Sequence, residues 1–234
     1  MLGCTYGNVF KTTVAGGSYQ EGLTVHLQGV PTGLRITEEM IYRDLLLRKP
    51  GQGELTSPRR EPDVPVIYSG LNAADTMPGF TNRGKTNGTP LVVLIPNLDR
   101  HFEHIEQYQV TNRTPRPGHA SYASYQKYGE NDDSIGAGFF SGRYTSTLVA
   151  AGAVAKRVLR DHGIDVFGYV KEAAGVRGAD VPRDEARAKV EAFRDVRRQY
   201  DVIYDWVFGA QRFHDDMRFL EKMAVLSELE ANLI

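Results

Sequence analysis

Leu23-Thr-Val-His-Leu-Gln-Gly-Val30 alternates apolar and polar residues, which is the pattern of a β-strand with one buried face. Pro31-Thr-Gly33 turns the chain after this strand, and Thr37 is the predicted N-cap of a helix that runs through Leu47. Leu91-Val-Val-Leu-Ile95 has no polar position and predicts a central, buried strand. Because strands and helices do not alternate strictly, we expect an α+β fold with helices packed on a largely antiparallel sheet.

The two parts of the chain differ in composition. Up to about residue 140 the chain is rich in Gly, Pro, Thr and Tyr, and short β-type runs such as Val64-Pro-Val-Ile-Tyr68 lie between turn signals. After that, helical spacing predicts a helix that begins at Thr145 and is capped by Gly163. The remaining expectations are a long functional loop between Pro96 and Ile135, a strand over Ile164–Val170, and closing helices over 184–199 and 213–232.

The composition is that of a globular protein, and the length allows one good-sized core or two small domains that share an interface. Of 234 residues, 41% are hydrophobic, and 28 basic residues nearly balance 29 acidic ones. This balance favours neither nucleic acid nor a membrane surface as a partner, so an anionic ligand requires a local cluster of Arg and Lys. Cys4 is the only cysteine, which excludes an intrachain disulfide. We recognise no signal peptide and no membrane-spanning run, so the expected location is the cytoplasm.

Six segments, in order along the chain, resemble the motifs of one family. They are Thr5-Tyr-Gly-Asn-Val-Phe-Lys-Thr-Thr13, Gly29-Val-Pro-Thr-Gly33, Arg59-Arg-Glu-Pro-Asp63, Thr86-Asn-Gly-Thr-Pro90, Arg116-Pro-Gly-His-Ala120 with Lys127-Tyr-Gly129, and Val149-Ala-Ala-Gly-Ala-Val-Ala-Lys156. They are similar to the motifs TFGxxFRVTT, GVPPG, RREPD, TTGTP, RPGHAD with KYG, and RVAAGAIAK of the chorismate synthase family.

The resemblance implies a chorismate-synthase-like domain over residues 1–204, with the family's β-α-β sandwich-like fold. It also implies a homo-oligomer, either a dimer or a tetramer. Residues 205–234 match none of the motifs of the family's second half. We therefore expect a shortened, divergent member of the family that ends in a divergent C-terminal helix.

Chorismate synthases convert 5-enolpyruvylshikimate 3-phosphate to chorismate and phosphate with reduced FMN. A phosphorylated dicarboxylate requires several Arg or Lys groups, and a departing phosphate requires a proton donor or a positive charge. The positions that the resemblance marks are Arg48, Lys49 and Arg143 for the substrate, and His119 and Ser141 for the FMN. His119 matches the family histidine that lies against the flavin, which makes it a catalytic candidate.

Several positions depart from the family motifs. Tyr19 replaces the first family histidine, and its phenol could donate a hydrogen bond but could not carry a positive charge. We retain Tyr19, with His119, as a catalytic candidate. Glu54 stands where the family often has another substrate arginine, which reverses the local charge. Phe139-Phe140 replaces an Arg-Ser pair, and we expect these aromatic rings to fill a pocket or cover an interface.

Three functional hypotheses remain open. In the first, the chain is a homologue of the shikimate-pathway enzyme in which family activity is lost or altered. In the second, it is a lyase with family-like chemistry on another anionic substrate. In the third, it is a non-catalytic or regulatory subunit that assembles with itself or with a full-length synthase. The aromatic residues that could form such an interface are Trp206, Phe208, Phe213 and Phe219.

Other functional classes lack their sequence signals. The chain contains no P-loop, no GxGxxG after a strand, no cysteine pair for zinc and no GxSxG elbow. His214-Asp-Asp216 is interpreted as a solvated helix face rather than as a metal site.

Overall fold

A computed structural model describes residues 4–50, 59, 61–72, 84–100, 102–111, 114, 116, 118–133, 135–169, 172–173, 175–177, 182 and 184–188. The strands are β1 (Thr5–Tyr6), β2 (Lys11–Gly16), β3 (Gly22–Gln28), β4 (Val66–Ser69), β5 (Leu91–Pro96), β6 (Glu172–Ala173) and β7 (Val176–Arg177). The helices are α1 (Glu38–Arg48), α2 (Phe102–Thr111), α3 (Ser121–Tyr128) and α4 (Thr145–Arg160).

Strands β1 to β5 form one antiparallel sheet in the order β1-β2-β3-β5-β4. At its centre β3 pairs with β5, so that Val25 lies opposite Val93 and Leu27 lies opposite Leu91. The side chains of these four residues are completely buried. The predicted α+β class, with an antiparallel sheet packed with helices and a central β5, is therefore confirmed.

Helices α1 and α4 pack against each other and cover the buried face of the sheet. Ile41 and Leu45 of α1 and Ala150 and Val154 of α4 enter the same core as the central strands. The helix α1 begins as predicted, because the Thr37 hydroxyl accepts a hydrogen bond from the Met40 N–H at 3.2 Å. The start of α1 is therefore fixed by a side-chain cap.

Two sequence-based predictions of secondary structure were wrong. The segment between Pro96 and Ile135 is not a single loop, because it contains α2 and α3. Its many turn residues lie at the ends of these helices, where they obscure the helical spacing of the residues between them. Residues 164–169 form no strand although apolar and polar residues alternate there, and Ile164 and Val166 are about half exposed.

The remaining secondary-structure predictions agree with the structure to different extents. The helix α4 begins at Thr145 as predicted, and Gly163 follows its end with a φ of 71°. The strand expected from Val64 begins two residues later, at Val66. Residues 184–188 are helical, and the rest of the two predicted closing helices lies outside the described residues. None of the described helices has the length and apolarity needed to cross a membrane.

The alternation of β3 generates a prediction for stability. Leu27 points into the core, whereas His26 is exposed on the other face of the same strand. Replacing Leu27 with Ala is expected to lower the free energy of unfolding by about 2–5 kcal/mol, because it leaves a cavity in a packed core. His26→Ala is the matched control, with an expected change within about 0.5 kcal/mol. Urea denaturation measures the free energy of unfolding of both variants. Equal losses would contradict the placement of Leu27 on the buried face and His26 on the exposed face.

Candidate anion-binding site

A cavity of about 730 Å³ lies where the end of α1, the segment around Arg59, the end of β5, the helix α2 and the turn before α4 meet. Its lining brings together five of the predicted site residues, which come from distant parts of the sequence. They are Tyr19, Arg48, Lys49, Arg143 and the predicted flavin residue Ser141.

Asp63 is the central acceptor beneath this cavity. Its side chain is fully buried, and each of its carboxylate oxygens receives one arginine. Arg48 Nη1 donates to Asp63 Oδ2 at 2.7 Å, and Arg143 Nη1 donates to Asp63 Oδ1. A carboxylate with charged donors on both oxygens is a strong, directional anchor. It joins the end of α1 to the turn before α4.

Arg143 is almost completely buried, and its remaining donors also bind the protein. Its Nε donates to Asn97 Oδ1 at 2.9 Å, and its Nη2 donates to the Pro96 carbonyl at 3.0 Å. Burial lowers the pKa of Arg143 to about 10, while the nearby Glu61 acts in the opposite direction. The guanidinium therefore remains charged at neutral pH, and its role in the fold is to fasten the end of β5.

Glu61 is the second buried carboxylate of the network. Its Oε1 lies 3.0 Å from Arg59 Nε, and its Oε2 accepts a hydrogen bond from the Leu98 N–H at 3.0 Å. Arg59 also donates through Nη2 to the carbonyls of Ser18 and Asp99, at 2.8 and 2.9 Å. The two acidic residues of the RREPD segment thus hold the arginines in place.

The formal charges around the cavity leave a small positive excess. Arg48, Arg59 and Arg143 all face buried carboxylates, so much of their charge is already balanced within the protein. Among the residues that the structure describes here, four cations stand against three carboxylates, which gives a net charge of one positive unit. The cations are Arg48, Lys49, Arg59 and Arg143, and the carboxylates are Glu61, Asp63 and Asp99.

Tyr19 forms part of the cavity wall and is held by aromatic contacts. Its ring lies edge-on to Tyr108, with centroids 5.5 Å apart, and the Arg59 guanidinium lies 5.0 Å from its centroid. Burial, followed by the proximity of Tyr108, raises the pKa of Tyr19 above its usual value. The side chain is therefore a neutral phenol at neutral pH.

The loop that carries Tyr19 rests on the segment before α4. Ser18 Oγ donates to the Gly136 carbonyl at 3.0 Å, and Gln20 Nε2 donates to Asp133 Oδ2 at 2.8 Å. Gly136 has a φ of 59°, and a side chain there would clash with the Tyr19 ring. A glycine at this position thus serves both the backbone conformation and the packing of Tyr19.

His119 does not line this cavity. It lies at the N-terminal end of α3, where its Nδ1 accepts a hydrogen bond from the Ser121 N–H at 3.0 Å. Ser141 does line the cavity, and its Oγ accepts a hydrogen bond from the Arg143 N–H at 3.2 Å. Of the two residues predicted to bind FMN, Ser141 therefore lines this cavity and His119 does not. Their role in flavin binding stays a prediction.

Several residues of the site were missed by sequence reasoning. His104 and Tyr108 lie on α2, which was interpreted as part of a loop, so their shared helix face was not recognised. Arg59 was noted only as part of a motif.

Phe139 does not line the cavity and instead packs against Tyr144, with ring centroids 4.2 Å apart. Glu54 and the aromatic and acidic residues predicted to matter after residue 204 lie outside the described residues.

The fold and the site define the class of protein. It is an α+β domain in which a cationic cavity lies above a buried arginine–carboxylate network. Comparison with known proteins gives the family. The sequence model of chorismate synthase matches residues 10–213. A chorismate synthase of Aeropyrum pernix is 40% identical over 189 residues, and one of Ignicoccus hospitalis is 41% identical over 197 residues. The chain belongs to the chorismate synthase family.

The matches cover most of this chain but only part of its relatives. The alignments span 81% and 83% of this chain, and 46% and 48% of the Aeropyrum and Ignicoccus proteins. The chain thus spans about half the length of the curated relatives that it matches. A crystal structure of chorismate synthase aligns with a TM-score of 0.42 at 25% identity, over 68% of this chain and 36% of the other.

The buried network generates a stability prediction. Replacing Asp63 with Asn keeps the shape of the side chain but leaves Arg48 and Arg143 without their shared counter-charge. We expect the free energy of unfolding to fall by about 3 kcal/mol or more, because buried charges then lack a partner. Chemical denaturation at neutral pH measures the loss.

The matched control for Asp63→Asn is Glu39→Gln, which neutralises the partner of Arg43 in an exposed pair on α1. Exposed pairs of this kind contribute little, so the expected change is within about 0.5 kcal/mol. Similar effects of the two substitutions would show that Asp63 is not the anchor described here.

The contact between Gly136 and Tyr19 generates a second prediction. Gly136→Ala is expected to cost about 1–2 kcal/mol for the positive φ alone, with a further loss from the clash with the ring. In a Tyr19→Ala background the φ cost and the close approach to Ser18 Oγ should remain, so the loss from Gly136→Ala should be smaller. Gly142→Ala is the control, because a side chain there meets nothing within 4 Å. Equal losses from Gly136→Ala in both backgrounds would contradict the contact.

Proposed function

We propose that this chain binds a small phosphorylated carboxylate in the arginine-lined cavity, and that the elimination chemistry of the chorismate synthase family is lost or altered in it. The observation that carries the proposal is the cavity of about 730 Å³ with Arg48, Lys49, Arg59 and Arg143 on its wall. By family membership, the ligand to test is 5-enolpyruvylshikimate 3-phosphate.

The charge and the rigidity of the wall support binding. Arg48 is held on three sides, by Asp63, by Thr145 Oγ1 at 3.0 Å from its Nε and by the Gly142 carbonyl at 3.2 Å from its Nη2. An anion would therefore meet cations whose positions are already set, so little entropy is lost when it binds. Because the cavity lies partly within the protein, each charge acts more strongly there than in water.

The chemistry of Tyr19 supports loss or alteration of the reaction. A departing phosphate is helped by a group that is cationic or that gives up a proton near neutral pH. Tyr19 does neither, because burial raises the pKa of a phenol that is already weakly acidic. Of the two candidate catalytic residues, Tyr19 lines the cavity and His119 does not.

The binding experiment compares phosphorylated and unphosphorylated ligands by isothermal titration calorimetry. We expect 5-enolpyruvylshikimate 3-phosphate to bind at least about tenfold more tightly than shikimate, because the arginines favour the phosphate group. Lys49→Gln removes the net positive charge of the wall and should weaken binding about tenfold. Lys11→Gln, which alters an exposed lysine on β2, is the control and should bind like the unaltered protein.

The same protein tests the chemistry. With reduced FMN under anaerobic conditions, we expect ligand binding without release of phosphate, while a full-length synthase serves as the positive control. Phosphate release that depends on reduced FMN and is abolished by Tyr19→Phe would contradict the proposed loss. Equal binding of the phosphorylated ligand and shikimate would contradict the anion site itself.

A role as a partner subunit is the alternative proposal. The observation in its favour is the groove of about 600 Å³ along α1 and α4, whose lining includes Leu47, Val149 and Leu159. Apolar grooves of this kind occur where another protein surface packs. Light scattering after size-exclusion chromatography distinguishes a monomer from the dimer or tetramer expected from the family. Co-purification with a full-length synthase tests the mixed assembly.

A further inference from the structure

We propose that His104 is the histidine of the anion site, and that its imidazolium form supplies a second net positive charge to a bound dianion of the phosphate or sulfate type. The proposal rests on the anion-binding function proposed above. Nothing in the family motifs marks His104, which lies on α2 and lines the cavity together with Arg48 and Arg143.

The position of His104 follows from the helix it stands on. His104 and Tyr108 are four residues apart on α2, so their side chains share one face of the helix. Both line the cavity, and the Tyr108 ring contacts the ring of Tyr19. His104 therefore lies on the helix whose Tyr108 ring contacts Tyr19, the residue at the position of the first family histidine.

The charge of the cavity explains why a histidine would matter there. Without His104, the described residues of the wall and its buried network carry one net positive charge, which is too little to balance a dianion. Histidine is the side chain that changes charge between pH 5 and 8, so its protonation raises this net charge to two. The titratable and charged groups that share the cavity with His104 are Tyr19, Arg48, Lys49, Arg59, Asp99, Tyr108 and Arg143.

Arg143 and Tyr19 on the same wall are not suited to this role. The pKa of Arg143 lies at about 10, and burial raises the pKa of Tyr19 above its usual value, so neither side chain changes charge between pH 5.5 and 8. A change in anion affinity within this range is therefore expected to report on His104.

The experiment uses sulfate, which remains a dianion between pH 5.5 and 8 and so does not itself contribute to the pH dependence. Sulfate affinity is measured by titration calorimetry at pH 5.5 and at pH 8.0 in buffers of equal ionic strength. We expect the unaltered protein to bind about three- to fivefold more tightly at the lower pH. His104→Gln should bind with the same, weaker affinity at both values.

The matched control is His119→Gln, which makes the same change in a histidine that does not line the cavity. It should keep the full pH dependence. If His104→Gln retains the pH dependence, or if His119→Gln loses it, the role of His104 is overturned while the anion site stands. If sulfate does not bind at either pH, the anion site is overturned, and the proposal for His104 falls with it.

A second measurement does not depend on a variant that must fold. Proton binding and anion binding are linked reciprocally, so sulfate should favour the protonated form of His104. In NMR titrations of the six histidines, the midpoint of the His104 resonance should move to higher pH when sulfate is added. The midpoint of the His119 resonance should move less. A His104 midpoint that does not respond to saturating sulfate would overturn the proposal.

Discussion

The site depends on one interaction, the sharing of the Asp63 carboxylate between Arg48 and Arg143. Arg48 is the last residue of α1, and Arg143 stands just before α4 and reaches the end of β5 through Pro96 and Asn97. One buried side chain thus fixes the relative positions of two helices and the central strand. Asp63 itself adopts a φ of 56°, which is unusual for a residue other than glycine. Such a conformation persists only where the surrounding contacts determine it.

This arrangement limits what the arginines can do for a ligand. Burying charged groups is costly, and the attraction between them repays that cost only when the remaining donors are satisfied as well. Arg143 meets the condition through Asn97 and the Pro96 carbonyl. A guanidinium that is bound in this way shapes the cavity and contributes a positive electrostatic field from a fixed position. The affinity for an anion then depends on the small excess of charge over the internal carboxylates, so a single additional cation has a large relative effect.

The parts of the fold set by local pattern were predictable, whereas those set by distant contacts were not. The alternation in β3 and the cap at Thr37 are visible in a few consecutive residues, and both appear in the structure. The alternation after Gly163 is equally clear, yet 164–169 form no strand, because a strand also requires a neighbouring strand to pair with. The contact between Asp63 and Arg143 joins residues 80 positions apart, and no local pattern reveals it. His104 was missed because the helix that presents it was not recognised.

The replacement of the first family histidine by Tyr19 involves more than one side chain. The tyrosine ring lies over Gly136, where no other side chain fits, and it also contacts Tyr108 and Arg59. An imidazole is smaller than a phenol ring and would leave part of this space unfilled, which is unfavourable in a packed wall. The surroundings of Tyr19 are therefore adapted to a neutral aromatic ring. A histidine at this position would meet a wall whose shape and contacts suit tyrosine, so introducing the family histidine requires coordinated changes at Tyr19 and at the residues that hold it.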